Sequence, residues 1–324
     1  MIKNIILFFV SALAFGAYAE SFSLSPGEIK QIDREAEDWI DDMPEGLQDR
    51  LSDAVSHALR GFYSEISYIR NLSDTTDLNS FSVDIKDIKG GVNSDIPMRF
   101  YSADDGKEKS LFIYLHGGGW SLGSIGIGDR FCKALASKGN VKVISVEYPL
   151  APEHPYPAAI NTCLDAVRFI LENSKNLIGE VRKISLGGDG AGGNLALECF
   201  SRMNSSEEIS SLVLFYPLIS TANDLDPESK KLYGRGYGFD SRLLEVFTEA
   251  YNEATQSEIK NLPPTLLISA ERDIIIKEEK EFSSKNPEII YVEFPGALHG
   301  FITDGHQNAA FNKAVELADI FLSK

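Results

Sequence analysis

A few short stretches of this chain carry residues that could act on an acyl group. Lys183-Ile-Ser-Leu-Gly-Gly-Asp-Gly-Ala-Gly-Gly-Asn194 starts as a strand, passes through a glycine-crowded turn and opens into a helix. A strand–turn–helix of this kind lifts one residue to the top of a sheet, with helix N-terminal amides just behind it. The turn reads almost as G-x-S-x-G, the elbow that presents a nucleophilic serine, but the serine position is Gly190. His116-Gly-Gly-Gly-Trp120 follows the apolar run Leu111–Leu115. Its glycines let backbone N–H groups point at a ligand, and with one amide from the elbow they can hold a developing oxyanion. Asp273 comes just after the run Thr265–Ser269, and His299 just after Ile289–Phe294. The order nucleophile position, acid, base suits a pair in which His299 is the general base and Asp273 orients it and stabilises its charged form.

Those residues must sit at the ends of strands, and the hydropathy pattern supplies the strands. Phe81–Ile88 alternates and can pair with Ile96–Tyr101 as an antiparallel hairpin. Leu111–Leu115, Val141–Val146, Ile184–Leu186, Leu212–Tyr216, Thr265–Ser269 and Ile289–Phe294 are apolar with little alternation, as in a parallel sheet buried on both faces. Helical segments separate them, at about 127–137, 156–173, 191–203, 240–254, 276–285 and 306–323. Strand alternating with helix predicts an α/β fold, a mostly parallel sheet of about eight strands covered on both sides. Residues 20–80 read as amphipathic helices ending in a polar linker. Together with an insertion at about 220–263 they are expected to form a helical cap over the hydrolase-like domain 81–324. His57, on one of those helices, reads as structural.

With 324 residues, 43% of them apolar, the chain can bury a full core. Residues 1–19 read as a secretory signal peptide: Lys3, an apolar run over Ile5–Phe15, and the small-x-small site Ala17-Tyr18-Ala19. The run is too short for a membrane span, so an exported protein without a stable membrane anchor is expected, periplasmic or secreted. Losing Lys3 takes the formal charge from −17 to −18. That acidity argues against nucleic acid and anionic lipid surfaces. Cys132, Cys163 and Cys199 fall inside predicted helices and read as small buried hydrophobes. No CxxC or Cys/His cluster points to a metal, and no cofactor is implied. The sequence leaves the oligomeric state open.

Taken together, His116-Gly-Gly-Gly-Trp-Ser-Leu-Gly-Ser124, Val146-Glu-Tyr-Pro-Leu-Ala-Pro-Glu-His-Pro-Tyr-Pro-Ala-Ala159, Gly188-Asp-Gly-Ala-Gly-Gly-Asn194 and His299-Gly-Phe301 resemble the hormone-sensitive-lipase group of α/β-hydrolase esterases. The resemblance runs from about residue 81 to the end. It implies an oxyanion hole from the amides of Gly118, Gly119 and Ala191, an acid–base pair of Asp273 and His299, and a serine nucleophile where Gly190 stands. A second departure is Pro149, where that group usually has arginine. Ser121, Ser124 and Ser185 lack the elbow's geometry as substitutes, and Asp189 is expected to brace the turn. The expected function is an esterase scaffold for a small ester or acylated ligand, inactive or weakly active as written. The alternatives are a non-catalytic ligand-binding protein and a weak hydrolase using water activated by His299.

Overall fold

The computed structural model describes residues 22–73, 81–103, 109–203, 208–219, 225–252, 259 and 261–324. Residues 1–19, read from the sequence as a signal peptide, most of the expected linker and parts of the expected insertion lie outside these residues. Eight strands form one sheet: β1 (Asp84–Lys89), β2 (Pro97–Ser102), β3 (Lys109–Leu115), β4 (Val141–Val146), β5 (Val181–Asp189), β6 (Ser211–Phe215), β7 (Thr265–Arg272) and β8 (Ile289–Leu298). Their order is β1-β2-β4-β3-β5-β6-β7-β8. The expected hairpin is present, and β2 is antiparallel to both neighbours, while the strands from β4 to β8 are parallel.

The chain steps from β3 outward to β4, then crosses back to β5 on the other side of β3. Ligands of open α/β sheets bind where the order reverses like this, outside the carboxyl ends of the strands. Leu115 of β3 is in register with Gly188 of β5, so the two glycine motifs emerge side by side. β5 is longer than its apolar run because Gly187 and Gly188 belong to the strand. A Cβ at Gly187 would come within 1.9 Å of the Val213 carbonyl oxygen, and one at Gly188 within 2.1 Å of that of Leu115. β1 is exposed along nearly its whole length, not half-buried as its alternation predicts, because it is the outer edge of the sheet.

Each face of the sheet carries a core. α4 (Ile125–Ser137), α10 (Asn308–Leu322) and α1 (Pro26–Asp42) cover one, through residues such as Phe131, Phe311 and Ile32. α5 (Ala158–Ile178) and α6 (Ala191–Met203) cover the other, with Ile160, Leu195 and their neighbours. The three cysteines are free and buried in these helices. α9 (Ile276–Lys285) follows β7. α1 packs against β8 and α10. α2 (Leu47–Leu59) packs instead against α3 (Ser64–Ser73) and against α8 (Ser241–Tyr251) of the insertion, which also holds the short α7 (Pro227–Tyr233). Arg242 of α8 pairs with Asp49 and Asp53 of α2 at 3.1 and 2.5 Å. His57 is half-exposed and joins α2 to α3 through a 2.7 Å hydrogen bond with Glu65, so it is structural, but through that bond and not apolar packing. Among the described residues no helix is long and apolar enough to cross a membrane.

Under β2 and α4 lies a buried charge cluster. Asp129 accepts from Tyr101 Oη, from Lys133 Nζ at 3.0 Å and from Arg99 at 3.2 Å. The Lys133 side chain is fully buried. Removing one member of such a pair strands the other's charge in a dry interior, at a cost of about 3–5 kcal/mol. Asp129→Ala is therefore expected to lower the unfolding free energy by about that much, as read from urea denaturation.

Candidate active site

The elbow begins where β5 ends. Gly190 has φ of +50°, in the left-handed region that residues with a Cβ rarely adopt. Its N–H donates to the Phe215 carbonyl at 3.0 Å, and its carbonyl accepts from Asn194 and Leu218, each at 3.1 Å. α6 starts at the next residue and aims its first amides at the crevice. A Cβ at Gly190 would lie 3.4 Å from His299 Nε2 and 3.9 Å from its Cε1, with nothing else within 4 Å beyond its chain neighbours. The turn faces the imidazole, and Gly190 presents no side chain to it.

The glycine turn after β3 is fastened to the elbow by Asp189. Its Oδ1 accepts from the Gly117 amide at 2.8 Å and from Tyr114 Oη at 2.5 Å. Burial pushes the Asp189 carboxyl up, and those two donors oppose the shift. Gly118 and Gly119 follow with φ of +114° and +60°. A Cβ at Gly119 would come 2.0 Å from the Phe247 ring, so α8 closes directly on this turn. Among the described residues, the amides of Gly118, Gly119 and Ala191 have no protein acceptor. His116 points inward as a brace: it is buried, stacks on Tyr148 at 4.2 Å, and accepts Tyr148 Oη on its carbonyl at 2.6 Å.

The predicted acid–base pair is assembled. Asp273 Oδ2 lies 2.6 Å from His299 Nδ1, while Asp273 Oδ1 accepts from the Ile275 amide at 3.2 Å. The carboxylate is buried and the imidazole side chain is 14% exposed, so Nε2 is left facing the elbow. Phe239 stacks on the imidazole at 4.2 Å, and the tilted ring of Tyr216 lies 4.5 Å from it. Tyr216 has φ of +36° and its hydroxyl accepts from the Ile302 amide at 3.1 Å, which ties the His299 loop to β6. Behind Asp273, burial and the like charge of Asp273 push the Glu279 carboxyl well above its ordinary value of 4.5, with Ser269 opposing.

None of the serines considered above takes the missing role. Ser185 pairs with Ser211 at 2.7 Å, on the strand before the elbow, and Ser124 caps α4 through the Gly126 amide. Ser121 is buried, and its carbonyl accepts from Arg70 Nε at 2.9 Å. Arg70, at the end of α3, also donates to the Ala151 carbonyl at 2.9 Å and forks onto Glu153 at 2.7 and 3.0 Å. It supplies a guanidinium to the loop in which Pro149 has none. Sequence reasoning missed Arg70, Tyr216 and Phe239. Tyr216 had one signal, its place at the carboxyl end of a predicted strand.

Comparison with known proteins agrees with this geometry. A family profile described as alpha/beta hydrolase fold matches residues 112–303. The chain is 32% identical over 184 residues to a carboxylesterase of Mycobacterium tuberculosis, a match that covers 56% of this chain and 57% of that one, less than two thirds of the relative's length. It is 27% identical over 232 residues to an ethyl acetate hydrolase of Pseudomonas putida, covering 65% and 72% of the two chains. An esterase of Pyrobaculum calidifontis superposes with a TM-score of 0.72 at 27% identity, over 80% of this chain and 92% of that one.

Two outcomes test this wiring. Arg70→Ala removes a bidentate charged bond and two carbonyl bonds; it is expected to cost of order 2 kcal/mol and to speed proteolysis at α3. Arg70→Lys should recover only part, because lysine has no fork. For Glu279, a folded carboxyl raised above its unfolded value stabilises fully below that unfolded value and loses the contribution as pH rises. Glu279→Gln is therefore expected to melt progressively higher than the unaltered protein as pH increases from 4.5, in a calorimetric pH series.

Proposed function

The chain belongs to the α/β-hydrolase family, and from that premise we propose that it is a carboxylic-ester hydrolase scaffold for small acyl esters whose covalent route is missing. The observation that carries this reading is the contact at the elbow: the Cβ position of Gly190 faces His299 Nε2 at 3.4 Å and meets nothing else. A serine there would place its hydroxyl within hydrogen-bond reach of the base. Whether natural or introduced, glycine removes the attacking oxygen and leaves the rest standing. The esterase names of the relatives support the reaction class.

On this reading an ester carbonyl oxygen rests on the amides of Gly118, Gly119 and Ala191. Water is then the available nucleophile. It attacks the acyl carbon while His299 Nε2 takes its proton, and Asp273 stabilises the imidazolium. The tetrahedral intermediate expels the alcohol oxygen, which takes that proton from His299, leaving acid and alcohol. Removing the serine of a hydrolytic triad elsewhere leaves about 10³–10⁴-fold over water, from the oxyanion hole and binding, so the unaltered chain is inactive or weakly active. Phe239 and Phe247 over the site favour a short acyl group. A non-catalytic role in holding such ligands is the second reading; Gly190 favours it, and the retained Asp273–His299 pair weighs against it. Export with loss of residues 1–19 belongs to the same proposal.

Gly190→Ser is expected to raise turnover of a short-chain chromogenic ester well above the unaltered protein, measured side by side. The same variant is expected to be less stable by about 1 kcal/mol, because a Cβ is forced into the left-handed region. A folded serine variant with no gain in turnover overturns the reading.

A further inference from the structure

We propose that the site, as it stands with Gly190, binds the carboxylate anions of short apolar acids together with one proton on His299. The inference rests on the acyl-handling reading above and names what the glycine form holds. The amides of Gly118, Gly119 and Ala191 have no protein acceptor among the described residues, and Ala191 opens α6, whose N-terminal end favours negative charge. In a serine enzyme the hydroxyl would stand between these donors and the imidazole. Here the space over Gly190 is open and bounded by His299 Nε2. One carboxylate oxygen can rest on the amides while the other accepts from Nε2–H. A neutral ester cannot use both halves in this way.

The charges around the imidazole explain why a proton must come too. Asp273 at the end of β7 holds Nδ1, and Asp189 at the end of β5 lies behind the elbow. Tyr216, after β6, supports the ring, and Asp304, in the loop of His299 itself, acts on Tyr216. Glu279 of α9 stands behind Asp273. From α8 and the residue preceding its cap come the rings of Phe247 and Phe239, with the buried Asp240 carboxylate at the cap held on the Leu243 amide. Arg70 is spent on Glu153 and two carbonyls. An anion entering beside these acids therefore needs the imidazolium, and the aromatic roof gives its alkyl end an apolar wall.

The test is calorimetric titration of the mature protein with sodium butyrate across a pH series, in buffers of different ionisation enthalpy. The expected result is one site, uptake of up to about one proton per butyrate, and affinity falling by up to about tenfold per pH unit as the pH is raised. Butyramide, the neutral analogue, should bind far more weakly. Gly190→Ser should weaken butyrate by roughly tenfold or more, because the hydroxyl takes both the space and the Nε2 hydrogen bond. An NMR titration of the imidazole Cε1–H in the unaltered protein reads the same event without any variant. No binding at millimolar butyrate, binding without proton uptake, or equal affinity for chloride each overturns the proposal. Esterase gain in Gly190→Ser without butyrate binding by the glycine form sinks this inference and leaves the ester reading intact. Butyrate binding without esterase gain does the reverse.

Discussion

The buried carboxylate of Asp189 is the joint on which the site depends. It is the last residue of β5, and it reaches across to the loop after β3, taking the Gly117 amide at 2.8 Å and the Tyr114 hydroxyl at 2.5 Å. Its second oxygen lies 3.4 Å from the hydroxyl of Tyr216, whose ring supports His299. Elbow, oxyanion turn and imidazole platform thus share one charged group in a low-dielectric interior, where each bond made is worth more and each bond lost costs more. The joint needs glycine at 117, since a Cβ there would come 2.3 Å from the carboxylate.

Position 190 needs no side chain to hold its turn. The elbow is held by backbone: Gly190 N–H to Phe215, its carbonyl to Asn194 and Leu218. A serine side chain would meet only His299, so its absence removes no support from the turn. Glycine also relieves the left-handed strain that the elbow imposes. Asp273 and His299 are likewise built into their loops, through the Ile275 amide and the Tyr216 and Phe239 rings. The surroundings of His299 and the fold share the same bonds.

The cap contributes contacts that reach into this framework. Phe247 presses on Gly119, Phe239 stacks on His299, and Trp120 stacks on Tyr251 with rings nearly parallel at 4.5 Å. Arg70 binds α3 to the carbonyls of Ser121 and Ala151, one beside the oxyanion turn and one in the loop that Pro149 leaves without a guanidinium. The ion pairs between α2 and α8 are exposed and each is worth little, so the aromatic contacts and Arg70 set the roof's position.

Much of the local structure was readable in the chain. Each apolar run became a strand, and Asp273 and His299 landed within 2.6 Å of each other because strand order and loop position follow from alternating strand and helix. Gly190 could be singled out because the motif around it is contiguous. Tertiary structure decided what contiguity cannot encode. Gly187 and Gly188 look like turn residues but lie in a strand, since only the neighbouring backbones of Val213 and Leu115 forbid a Cβ there. The docking of α1 on β8, the reach of Arg70 to Glu153, and the rings against His299 are contacts between distant stretches. Such contacts leave no period and no spacing in the sequence, because packing selects a side chain for where it ends in space and not for its neighbours along the chain.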